Sequence, residues 1–114
     1  MSQTARFQET LRRLAIFDEG FAEAGFGLGA QTLDAKTTAL LQVAVSVAIG
    51  SSAVCLQWSG ARALAAGATK DEIADVLLAI LPVAGLGRVV SAAPGVAAAL
   101  EYDIDAALEE PGDQ

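Results

Sequence analysis

The sequence predicts an all-α fold, a bundle of short helices that associates with copies of itself. Three observations carry that reading. Apolar residues recur at the i, i+3, i+4 spacing of helices along most of the chain. The breaks between these runs carry helix-boundary chemistry, above all Gly50-Ser51-Ser52 and Thr69-Lys70-Asp71-Glu72. And 54% of the 114 residues are apolar, above the roughly 45–50% of ordinary soluble domains even with Gly counted. A chain this short buries only about two-thirds of its unfolded surface. The surplus is therefore expected against neighbouring copies or in a membrane.

A first helix is expected over residues 3–18, where Phe7, Leu11, Leu14 and Ala15 form one stripe and Glu9, Arg12 and Arg13 take the other face. Next comes a short helical piece to about Ala24. A loop follows, because Gly20, Gly25, Gly27 and Gly29 each weaken a helix by about 1 kcal/mol; Phe17, Phe21 and Phe26 anchor it. Asp34 is placed to cap a helix running to about Ile49. Leu40, Leu41, Val43, Ala44, Val45, Val47, Ala48 and Ile49 make that helix apolar nearly all round, as for one buried on every side. Its β-branched residues also suit a strand, but no turn and partner strand follow. Ser51 or Ser52 caps a helix starting near Ala53, and Gly67 ends it with positive φ. Thr69 and Glu72 form a capping box. The helix after it shows Ile73, Val76, Leu77, Ile80 and Leu81 on one face and should kink or end at Pro82. Gly85-Leu86-Gly87 reads as a turn, with helix resuming near Arg88, broken at Pro94-Gly95, and a last helix over Val96–Leu108. The organisation expected is a helical arm and Gly-rich loop (1–32), a helical core (33–108) and an acidic tail (109–114).

Composition excludes several function classes. The net charge of −7 lacks the basic face that nucleic acid demands. No charge falls between Lys36 and Arg62, but Gly50-Ser51-Ser52 splits that stretch into pieces too short to span a bilayer, and no aromatic belt or Lys/Arg cluster flanks it. No membrane partner is expected. No start of the chain combines a basic segment, an apolar core and a cleavage site, so the expected location is cytoplasmic. The single Cys and the absence of His exclude an intrachain disulfide, a thiol-only or two-His metal site and the usual general base. No metal or other cofactor is implied.

The stretch AVSVAIGSSAVCLQWSGARALAAGATKDEIADVLLAILPVAGLG resembles the carboxymuconolactone decarboxylase / alkylhydroperoxidase D-like family. Members read as an apolar helix ending in small residues, then Cys-x-x-Cys-x-x-x-His, then a Gly eight residues on, a Gly-Ala-Thr-x-x-Glu-Ile start and a later Ala-Gly. Gly67-Ala68-Thr69-Lys70-Asp71-Glu72-Ile73 and Ala84-Gly85 match, and the resemblance covers about Leu33 to Leu100. It implies an alkylhydroperoxidase D-like helical bundle assembled as a homotrimer or hexamer. Carried over by spacing, the second family Cys falls on Cys55, the first on Ser52, the His on Ser59 and the Glu on Leu40 or Ala39. Only Cys55 survives, so the chain looks like a divergent member with a degenerate site.

The residues expected to carry a site are Cys55 and Ser59 as catalytic groups and Ser52, Trp58 and Arg62 as ligand-binding groups, with Phe21 or Phe26 as a lid. Cys55 near a helix N-terminus has the setting that lowers a thiol pKa, and equally that of a small buried hydrophobe. Arg62 lies two turns further along the same face. One Arg among hydroxyls suits a small organic acid, bound or transformed by a decarboxylase- or isomerase-like lyase step. Two alternatives stand beside that reading: an inactive oligomeric scaffold, and a one-Cys thiol peroxidase using Cys55. What Arg62 faces discriminates ligand site from scaffold.

Overall fold

The computed structural model describes residues 3–30 and 32–109, with side chains described at 6–25, 29–30 and 32–109. Seven helices and no strand occur among the described residues: α1 (Gln3–Ala15), α2 (Glu19–Leu28), α3 (Ala35–Ala48), α4 (Ala53–Ala65), α5 (Lys70–Ala84), α6 (Leu86–Ala99) and α7 (Ile104–Glu109). The all-α expectation holds. The acidic tail beyond Glu109 lies outside the described residues. The chain divides into two compact units, Met1–Asp34 and Ala35–Gln114.

In the N-terminal unit, α1 stops at Ala15, three residues short of its expected end. Asp18 caps α2, its carboxylate accepting from the Phe21 N–H at 3.1 Å. α2 runs through Gly20 and Gly25 to Leu28 rather than ending near Ala24. An N-cap and an acidic first turn with Glu19 offset the weak propensity of its glycines. Glu9 accepts from Arg12 and Arg13 at 3.1 and 2.7 Å. Arg13 then lies over the Phe21 ring at 5.6 Å, tying α1 to α2. The expected stripe Phe7, Leu11 and Leu14 remains exposed.

In the C-terminal unit, α3 and α4 form a hairpin across Gly50-Ser51-Ser52. α5 packs beside α3, and α6 beside α4 and α5. The core is built of small side chains: Ala39, Val43 and Val47 of α3, Leu56 and Ala63 of α4, Ile73 of α5, and Ala92 and Val96 of α6. Small residues let helices approach closely. A Cβ added to Gly95 would stand 3.1 Å from Leu56, and one on Gly60 would stand 2.6 Å from the Ala99 Cβ. The pairings 56 with 95 and 60 with 99 show that α4 and α6 run in the same direction.

Four helices end in the same way. The residues after the C-caps of α1, α3, α4 and α6 have positive φ: Phe17 (56°), Gly50 (74°), Gly67 (100°) and Glu101 (60°). The following N–H reaches back five residues, as in Ser51 to the Ser46 carbonyl (3.0 Å), Ala68 to Ala63 (3.0 Å) and Tyr102 to Ala97 (3.0 Å). This Schellman arrangement satisfies carbonyls that a helix end would otherwise leave orphaned. Gly67 takes the role its position predicts.

Several expectations need correction. Pro94 does not break its helix: α6 passes through it to Ala99. Pro82, expected to kink or end its helix, sits in the last turn of α5, which ends two residues later at Ala84. Both prolines are exposed, and an outward ring removes one backbone bond while leaving the packed face intact. The helix after Gly85 starts at Leu86 rather than near Arg88, and the predicted Val96–Leu108 helix is two pieces separated at Glu101. Finally, α3 is buried on one side only. Leu41, Val45 and the following Ile49 are 50%, 56% and 67% exposed, because α4, α5 and α6 pack against α3, whose buried residues are Ala39, Val43 and Val47. Among the described residues no helix is long and apolar enough to cross a membrane.

Candidate functional site

The site begins at the Gly50-Ser51-Ser52 corner. Gly50 adopts the positive φ that lets α3 end and the chain reverse. Ser52 then caps α4, its hydroxyl accepting from the Cys55 N–H at 3.4 Å. Ser52 therefore serves the backbone of α4, and Cys55 sits in the first turn of the helix. The thiol is exposed; the alternative of a buried small hydrophobe does not apply within one chain.

From Cys55 the spacing does the rest. Residues 55, 58, 59 and 62 fall on one face of an α-helix, so Cys55, Trp58, Ser59 and Arg62 share a stripe along α4. Trp58 is 67% exposed. The Arg62 guanidinium carbon lies 5.4 Å from the centre of the Trp58 ring, a cation–π contact one turn long. Arg62 makes no ion pair with a carboxylate among the described residues. The half-buried Ser59 hydroxyl donates to the Leu56 carbonyl at 3.2 Å, which occupies its proton.

The five residues thus come together on one helix and its cap, on an open face. The groove beside α4, about 520 Å³, is lined by Ala53, Gln57, Gly95, Ala98 and Tyr102 among others, and by none of the five. Ala39 is buried in the core and Leu40 packs against it, so the position of the family's acid is occupied here by apolar packing. Phe21 belongs to the N-terminal unit, under Arg13; the Phe26 side chain lies outside the described residues. Among the described residues no group of three His, Cys, Asp or Glu side chains could hold a metal ion.

Sequence reading passed over Arg88. It stands in the first turn of α6, and its guanidinium occupies the space where a side chain on Gly50 would begin. A cation there faces the C-terminal end of α3, where helix carbonyls concentrate negative potential. The signal available was a lone Arg in an otherwise apolar helix.

The chemistry of the stripe is limited. One thiol, one committed hydroxyl and one guanidinium have the chemistry to bind and polarise an anion and little more. They do not form a dithiol couple, since the chain has one Cys, and a disulfide cycle within one chain needs two thiols.

Comparison with known proteins supports the frame rather than a reaction. The model of the carboxymuconolactone decarboxylase family matches residues 16–99, from the end of α1 to the end of α6. No curated protein and no solved structure matches the chain significantly. The matched span contains the α3–α4 corner, the capping box and the α5–α6 pair, so on both its helical frame and its sequence this chain belongs to the carboxymuconolactone decarboxylase family.

Proposed function

We propose that this family member binds a small organic carboxylate on the Cys55–Trp58–Ser59–Arg62 face of α4, without a dithiol peroxidase cycle, within a homo-oligomer such as a trimer or hexamer. One observation carries the reading: Arg62 is a permanent cation with no carboxylate partner among the described residues, held over the face of Trp58. A guanidinium fixed in that way presents its N–H fork to a planar anion, and the indole offers an apolar floor for the rest of the ligand. Ser52 shapes the start of the site by capping α4. Where turnover follows binding, Cys55 is the group on this face able to move a proton, since the Ser59 hydroxyl is committed to the Leu56 carbonyl. The reaction is then of the decarboxylase or isomerase kind. Copies packed against the open face supply the enclosure that one chain lacks.

Trp58 is the single Trp of the chain, so its fluorescence reports this site alone. Titration with benzoate and with succinate should give a saturable change in Trp58 emission. Arg62→Gln should weaken that response by about tenfold or more, the worth of a charge-assisted hydrogen bond. Emission that stays flat at millimolar ligand, or that responds equally in Arg62→Gln, rejects the carboxylate site and leaves the oligomeric scaffold.

A further inference from the structure

We draw no further inference here: the strongest candidate, the groove of about 520 Å³ that Gln57, Glu101, Tyr102 and Asp105 line between α4, α6 and α7, is an acidic cluster at the joint that ends α6 and starts α7, and no buried polar side chain among the described residues is aimed into it.

Discussion

Glu101, like Phe17, is a non-glycine residue at odds with its own backbone. It sits at the left-handed position that closes α6, with φ of 60°, where Gly50 and Gly67 close α3 and α4. An L-residue with a Cβ costs roughly 1–2 kcal/mol in that conformation. Part of the gain from glycine is returned as extra freedom of the unfolded chain. Glu101→Gly should therefore stabilise the chain by about 0.5–1 kcal/mol, seen as a higher urea midpoint with unchanged m-value. A lower midpoint would show that the Glu101 side chain contributes more than its strain costs. Gly60 is the opposite case. Its missing Cβ makes room for Ala99, whose Cβ would lie 2.6 Å from a Cβ added there, so Gly60→Ala should destabilise by about 1–2 kcal/mol despite the better helix propensity of Ala. Both roles depend on facts no local spacing encodes: the φ of one residue, and a neighbour 39 positions away.

At the scale of elements, the best-determined boundary is the start of α5. The Thr69 hydroxyl accepts from the Glu72 N–H at 3.0 Å, and the Glu72 carboxylate accepts from the Thr69 N–H at 2.9 Å. Lys36 of α3 donates to the other Glu72 oxygen at 2.9 Å, so one carboxylate both caps α5 and links it to α3. Thr69→Ala should cost about 1 kcal/mol, the usual worth of an N-cap, in chemical denaturation. The bond from the Thr69 backbone first, and the Lys36 ammonium second, hold the Glu72 carboxyl below its ordinary value of 4.5. A depressed folded pKa means a contribution fully present above the unfolded value and lost as pH falls through the folded one. Stability should therefore hold level above about pH 5 and decline below it. Glu72→Gln should flatten that acid limb, and an unchanged limb would assign it to other carboxylates. The capping box was legible because its partners are three residues apart. Lys36 was not, because 36 residues separate it from Glu72. Pro94 misled for a related reason. It read as a helix break when only the lost N–H is counted, yet its exposed ring leaves α6 continuous.

At the scale of the molecule, the apolar surplus is now located. Leu41 and Val45 on α3 and Ile49 just past its end, Val54 and Trp58 on α4, Leu78 and Val83 on α5, and Leu86 and Val90 on α6 are each at least half exposed, with Val83 at 92%. These residues lie on or next to four different helices. Assembly with copies would cover them, and light scattering behind size exclusion should give a mass several times that of one 11.6 kDa chain. Val83→Asp together with Leu86→Asp should lower that mass by setting like charges at any shared surface. A wild-type monomer would overturn the assembly reading.

The sequence by itself determined the helical class, the family frame and the α3–α4 and α4–α5 corners. Each of these rests on contacts within a few residues, which spacing and capping chemistry report directly. Only the tertiary structure decided that Cys55 is exposed, that α4 and α6 approach closely at Gly60 and Gly95, and that α3 is half uncovered. Exposure and close approach depend on which helix faces happen to meet, and that is set by the packing of Gly60, Gly95 and the small core residues across distant parts of the chain.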